Sequence, residues 1–175
     1  MDKRKEHINS LIDGARRIVE KEQFGLITMN QMLSPKSLLP YAQWSEDKPF
    51  TRICLYEDEE FELILICWQP YAKTAIHNHN EQNCWVFFFN SDFEEVIYCE
   101  EGKHELEINR VKKGGVSYMK EMNKCHSLQN LSNFPSMSLH LYNEPIKSCE
   151  IVSASDNDAS LDRADLNYDV KLSYA

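Results

Sequence analysis

At 175 residues the chain has the length of one domain, and a hydrophobic fraction of 42% supplies an ordinary core without crosslinks or partners. Its formal net charge of -9 argues against nucleic acid and anionic membranes as partners, because such surfaces call for a basic patch. No apolar stretch is long enough to cross a bilayer, and Met1 to His7 runs into a charged helical pattern instead of a signal-peptide core, so the protein is expected in the cytoplasm. Cys54, Cys67, Cys84, Cys99, Cys125 and Cys149 stand singly with no CxxC pair, which suggests neither a zinc knuckle nor a disulfide framework. In a reducing compartment most are read as buried thiols.

From Lys5 to Lys21, Ile8, Leu11, Ile12, Ala15, Ile18 and Val19 recur at helical spacing opposite a charged face, which predicts an amphipathic helix. A short helical stretch is expected around Ile27 to Leu33. Ser34 as N-cap and Pro35 at the first helical position then start another turn through Leu39, which Pro40 stops. After Thr51 the pattern turns to short apolar runs bounded by polar turns. Strands are expected at Arg52 to Tyr56, Phe61 to Trp68, Cys84 to Phe89, Glu94 to Cys99, Leu106 to Arg110, Val116 to Met119, Ser127 to Leu131 and Ser136 to Leu141. So many short strands behind a helical cap imply a mainly β barrel or double-stranded roll. Residues 1–152 are read as one domain, with helices over 1–40 and the barrel over 51–152. Residues 153–175 are read as an acidic tail in which Ser153 to Ser160 is a mobile linker and Val170 to Tyr174 an edge strand.

His77 and His79 form an HxH pair, and in an extended segment both imidazoles fall on one face, where they can share a metal. Surface histidines in the polar loop Ile76-His77-Asn78-His79-Asn80 are an equal reading of that pair alone. A distant third histidine, His126, opens a strand near the far end of the barrel, as convergence on one cavity requires. Cupins that add a carboxylate carry HxHxxxxE, but here Cys84 occupies that last position and Glu81 has the wrong spacing, that of a solvated loop residue. Three neutral imidazoles suit Fe(II), with zinc the competing metal.

Three segments, HNHNEQNC, Ser138-Leu139-His140-Leu141-Tyr142 and Phe50-Thr51-Arg52, together resemble the type I cysteine dioxygenases, over roughly Ser34 to Cys149. The resemblance implies a cupin-type small β-barrel with iron on His77, His79 and His126. It implies that Cys84 is joined by a thioether bond to Tyr142, that His140 and Ser138 form a relay to the tyrosine hydroxyl, and that Arg52 grips the substrate carboxylate. Trp68 and Cys149 match positions in the pocket wall. Without the resemblance, His140 and Tyr142 read as ordinary inward strand residues and Arg52 as an ion-pair partner. His104, in an acidic turn, and His7, on the first helix, are not assigned to the site.

The implied activity is dioxygenation of L-cysteine to cysteine sulfinic acid with Fe(II) and O2 and no second cofactor, because no glycine-rich dinucleotide motif is present. Phe50 stands where many members carry a tyrosine that assists the arginine, a loss of roughly 1–3 kcal/mol if that hydrogen bond is charge-assisted. Asn143-Glu144-Pro145 replaces a turn with a cis proline bond, and a trans bond is expected before Glu144, since cis there would cost about 3 kcal/mol. Ser91 occupies a hairpin position where cupins often place glycine. Two other readings stay open, a dioxygenase for another small thiol such as 3-mercaptopropionate and a non-catalytic metal-binding cupin sensor. Arg52 favours cysteine over 3-mercaptopropionate. The oligomeric state is left open, with a monomer favoured.

Overall fold

The computed structural model describes residues 3–21, 34–80, 82–120, 124–155 and 158–172. Helix α1 spans Lys3–Lys21, a short helix α2 spans Pro35–Leu38, and a 3-10 turn follows at Leu39–Tyr41. The eight strands expected from the sequence are present: β1 (Phe50–Glu57), β2 (Glu62–Trp68), β3 (Cys84–Phe88), β4 (Phe93–Tyr98), β5 (Glu105–Val111), β6 (Val116–Met119), β7 (Cys125–Asn130) and β8 (Ser136–Tyr142). Three more follow, β9 (Ser148–Ser155), β10 (Asp158–Asp165) and β11 (Val170–Lys171).

One sheet has the order β11-β1-β2-β8-β3-β6 and another the order β5-β4-β7, while β9 and β10 form a hairpin. His77 is bridged to His126 of β7 on one side and to Ile151 of β9 on the other, so the hairpin continues the second layer. The two layers form a double-stranded roll that is open between β5 and β6, since these strands are not paired with each other.

Period-two alternation explains why both faces of the larger sheet are buried. Leu63, Leu65 and Cys67 of β2, Trp85 and Phe87 of β3, and Met137, Leu139 and Leu141 of β8 join one core, which Ile8, Leu11, Ala15 and Ile18 of α1 cover. Each such Ile or Leu contributes roughly 1.5–3 kcal/mol on full burial. Arg16 fastens the helix through Asp58 at 2.9 Å, with Glu60 as a second partner, and lies over the Phe61 ring. The intervening residues Ile64, Ile66 and Trp68, Cys84, Val86 and Phe88, and Tyr142 face the interior of the roll, where Phe93 of β4 and Leu128 of β7 meet them.

Several sequence expectations need correction. Residues 153–155 and 158–160 are strand backbone in the β9–β10 hairpin and not a mobile linker. Small polar side chains lack an apolar signal, but here the backbone pairing from Ser148↔Asp165 to Ser155↔Asp158 satisfies the chain. Pro40 does not end the helical run; it sits inside the 3-10 turn, which Ala42 closes with an N–H bond to Leu39 O. Ser34 is extended as an N-cap should be, but the hydroxyl bond there comes from Ser37 Oγ to Ser34 O. The expected helical stretch at 27–33 and Glu81 lie outside the described residues.

At the C-terminus β11 pairs in parallel with Ile53 and Cys54 of β1, at the edge of the large sheet. Gly102 (φ +68°) turns the chain between β4 and β5, and a Cβ there would stand 2.2 Å from Val152, so only glycine lets this turn pack on β9. Ser91, in contrast, is buried without a left-handed backbone, and its hydroxyl bonds Asn130 Oδ1 and Ser136 Oγ. No cis peptide occurs among the described residues, and Asn143 is held by Asn83 through its N–H and its Oδ1.

Candidate metal centre and substrate cavity

The pairing of His77 with His126 is what assembles the site. His77 N–H bonds His126 O at 2.9 Å and His126 N–H bonds His77 O at 2.8 Å, a reciprocal bridge that sets the two side chains against each other. Asn78, between the two histidines of the pair, points the opposite way and clamps β9 through both atoms of its amide, to Glu150 Oε2 and Glu150 N. His79 therefore returns to the same side as His77. The left-handed Asn80 (φ 50°) then redirects the chain, anchored by its amide to Ser148 O.

One ring nitrogen from each of His77, His79 and His126 lies within 4.8 Å of the others. His79 and His126 are buried and His77 half-buried. His77 Nδ1 bonds Ala75 O at 3.0 Å and His126 Nδ1 bonds Glu95 Oε1 at 2.9 Å, which assigns the proton to Nδ1 in both and leaves Nε2 as a lone pair directed inward. His126 Nε2 and His79 Nε2 are only 3.1 Å apart. Burial lowers the pKa of all three imidazoles, those of His79 and His126 well below the ordinary value, so the cluster offers neutral nitrogen donors. A set of three convergent neutral imidazoles, two of them oriented through the opposite ring nitrogen, fits a non-haem metal ion.

Glu95 was not foreseen from the sequence. It is 3% exposed on β4, where Ser117 Oγ donates to its second oxygen at 2.5 Å, and burial pushes its carboxyl pKa up against that bond. The available signal was an acid two residues after Phe93, on the face that turns inward in a half-buried strand.

Beside the imidazoles, β8 presents Ser138, His140 and Tyr142 on one face because they alternate with Leu139 and Leu141. Trp68 Nε1 donates to Ser138 Oγ at 2.8 Å, and Ser138 Oγ lies 2.8 Å from His140 Nε2. The His140 and Tyr142 rings are stacked with centroids 6.4 Å apart, and Tyr142 meets His79 edge-on at 5.3 Å. Cys84 of β3 is the directly opposed partner of Tyr142 in the sheet. Burial raises the pKa of both groups and lowers that of His140, so all three are held neutral.

On the other strand neighbour of Tyr142 lies Glu62, fully buried, with Oε2 accepting Ile146 N–H and Oε1 without a partner. Burial lifts its pKa to about 7 despite Arg52 and Lys147.

Several of these groups line a cavity of about 130 Å³. That is well below the roughly 300–1,000 Å³ of sites for drug-sized ligands, which restricts it to a small molecule. Its wall includes the three imidazoles, His140, Tyr142, Cys149 and Phe50, together with Arg52. Arg52 is 9% exposed, and its Nη1 is buried without a hydrogen-bond partner. Trp68 was expected to bind substrate but stands one layer back, between Phe50 (5.1 Å) and Phe93 (5.3 Å), where it holds Ser138 instead. Ser138 and Cys84 are likewise absent from the cavity wall, with Ser138 beside His140 and Cys84 opposite Tyr142. His104, exposed in the β4–β5 turn, and His7 on α1 stay outside the cluster. No helix among the described residues is long and apolar enough to cross a membrane.

Residues 16–155 match the family model described as cysteine dioxygenase type I. The chain is 21% identical over 122 residues to bovine (Bos taurus) cysteine dioxygenase type 1, covering 66% of this chain and 61% of that protein. It is 20% identical over 157 residues to the zebrafish (Danio rerio) cysteine dioxygenase type 1, covering 82% and 78%. The chain thus spans about three-fifths of the bovine relative's length. Among solved structures, an uncharacterised conserved protein with a double-stranded β-helix domain from Klebsiella pneumoniae superposes with a TM-score of 0.55 at 14% identity, covering 67% of this chain and 95% of that one. That likeness concerns the fold, a cupin-type roll. The match of the family model to most of the sequence establishes that the chain belongs to the cysteine dioxygenase type I family.

Proposed function

We propose that the protein is an iron(II)-dependent thiol dioxygenase that adds both atoms of dioxygen to the sulfur of L-cysteine, giving cysteine sulfinic acid. The observation that carries this reading is the buried Arg52, with Nη1 lacking a hydrogen-bond partner, in the wall of the same small cavity as three convergent neutral imidazoles. A buried guanidinium N–H without an acceptor calls for one from a ligand, and a carboxylate matches its fork in a bidentate fashion. Iron(II) on His77, His79 and His126 would favour the substrate as thiolate and supply open positions at which it meets dioxygen.

The remaining steps fall to the chain itself. Arg52 fixes the carboxylate and so the reach of the thiol toward the imidazoles. Tyr142, kept protonated by burial, offers its hydroxyl hydrogen to the reacting sulfur or oxygen. His140 and Ser138, tied to Trp68, hold the wall of the cavity beside it. A thioether between Cys84 sulfur and a Tyr142 ring carbon, formed with two electrons and two protons passing to dioxygen, would lock that ring. Sulfur supplies the electrons of the main reaction, so no organic redox cofactor is needed. We place the activity in the cytoplasm, where single thiols such as these persist.

A second reading is 3-mercaptopropionate as substrate, which offers Arg52 the same carboxylate and lacks only the amine. Oxygen uptake by iron-loaded protein with each thiol tests the choice: L-cysteine is expected to give the higher kcat/KM. Faster turnover of 3-mercaptopropionate would favour the second reading, and no uptake with any small thiol would leave a metal-binding sensor.

A further inference from the structure

The segment after β10 lies beyond residues 16–155, the part matched to the family, yet it wraps around Arg52. Leu166 forms part of the cavity wall and is fixed by an N–H bond to Lys147 O at 2.8 Å. Asp169 holds both main-chain groups of Arg52: its Oδ2 accepts Arg52 N–H at 2.8 Å and its own N–H donates to Arg52 O at 2.8 Å. Its other oxygen pairs with Lys48. Immediately after, β11 pairs with β1, and Leu172 N–H bonds Cys54 O.

Between Leu166 and Asp169 sits Tyr168. Its ring faces the Arg52 guanidinium with 5.9 Å from the guanidinium carbon to the ring centroid. The ring is itself anchored: Tyr168 OH donates to Glu57 Oε2 at 2.9 Å and accepts from Lys147 Nζ at 3.2 Å. Glu57 in turn holds Lys147 and Lys171. No carboxylate forms an ion pair with the Arg52 guanidinium among the described residues, Glu62 and Asp169 acting on it only through space, so the face of this ring, which Lys147 and Lys171 also approach, is the stabilising group packed against it. A ring on one face leaves the planar edge, including Nη1, for hydrogen bonding.

We propose that Tyr168 is a positioning residue: anchored by Glu57 and Lys147, its ring covers the Arg52 guanidinium and holds the free Nη1 edge toward the cavity, which selects thiols that carry a carboxylate. This rests on the reading of Arg52 as the substrate-carboxylate grip. Phe50, on the same strand, offers Arg52 no hydrogen bond, which leaves the guanidinium dependent on the C-terminal segment.

The test is equilibrium binding of L-cysteine and of cysteamine, which lacks the carboxylate, to anaerobic iron-loaded wild type, Tyr168→Leu and Tyr168→Phe, with KM and kcat measured on the same proteins. Tyr168→Leu is expected to raise Kd and KM for L-cysteine about tenfold, the scale of a partly desolvated cation–π contact. Its kcat is expected to stay within about twofold, and cysteamine binding to stay unchanged. Tyr168→Phe, which keeps the ring, is expected to remain within about threefold of wild type for both thiols. Tyr168→Met, closer in length, takes the place of Tyr168→Leu if that variant does not fold. Unchanged L-cysteine binding in the variant without the ring, or equal losses for the two thiols, would overturn the positioning role. A wild type that binds both thiols equally would instead overturn the reading of Arg52 beneath it. Binding without turnover in wild type would remove the dioxygenase reading and still decide the role of Tyr168.

Discussion

The two faces of the large sheet are made by the same strands and do opposite work. On one face Leu139, Leu141, Leu65 and Trp85 pack against the apolar stripe of α1. On the other, one residue out of step, Ser138, His140 and Tyr142 lie beside Arg52 and the histidine cluster. The helix-side face is insulated from water and filled mostly with aliphatic and aromatic groups, of which Trp85 leaves its Nε1 buried without a partner. The cavity-side face is equally buried but carries polar groups, which must be hydrogen-bonded or held neutral at a cost in stability. The ionisable groups that bear this cost lie on the cavity side, where Arg52 Nη1, Glu62 Oε1 and His79 Nδ1 are buried without partners. A substitution on one face should therefore change stability and spare the site, and a substitution on the other should do the reverse.

The largest contrast is expected for His126→Ala, which removes one of three metal donors. It should lose bound metal and turnover while unfolding as cooperatively as wild type, read by metal analysis and oxygen uptake. A metal-replete, active variant would refute the ligand assignment. Next in size is Leu139→Ala, fully buried on the helix side, which should cost about 2–5 kcal/mol by chemical denaturation and leave metal content unchanged.

Glu62 gives a smaller effect with a definite sign. Its folded pKa of about 7 lies above the ordinary 4.5, so below pH 4.5 it is protonated in both states. As pH rises from there through about 7 the unfolded chain gives up its proton first, and stability falls by at most roughly 3 kcal/mol. Relative to wild type, Glu62→Gln should thus gain stability between pH 5 and pH 8; a gap that stays constant over this range would show that the carboxyl is not shifted. The smallest effect is expected for Cys84→Ser. This variant should retain metal and slow turnover about tenfold, close to 1.4 kcal/mol of barrier. Unchanged turnover, together with a wild-type mass that shows no crosslink, would remove Cys84 from the mechanism.

How far the sequence foretold these two faces depended on the kind of signal. Strand alternation in β2 and β8 carried both faces, because a burial pattern of period two survives in any context. His77, His79 and His126 were legible as a short motif and a distant match to it. Glu95 was not, since nothing in the spacing of β4 and β7 announces that their pairing brings Glu95 to His126 Nδ1. The hairpin of β9 and β10 was misread because SASDNDAS has little to bury, and backbone pairing leaves no mark in composition. Tyr168 and Asp169 were passed over in an acidic tail for the same reason: their partners, Arg52 and Glu57, lie more than a hundred residues earlier. Trp68 was assigned to substrate, and the structure places it behind the cavity wall, bonded to Ser138, because sequence position cannot separate a wall from the layer behind it.

The most direct test of the proposed chemistry is a single turnover of iron-loaded protein with L-cysteine under isotopically labelled dioxygen, read by mass spectrometry of the product. The expected result is cysteine sulfinic acid carrying two labelled oxygen atoms. Cystine as the product, or a sulfinate with one labelled atom or none, would contradict a dioxygenase at this site.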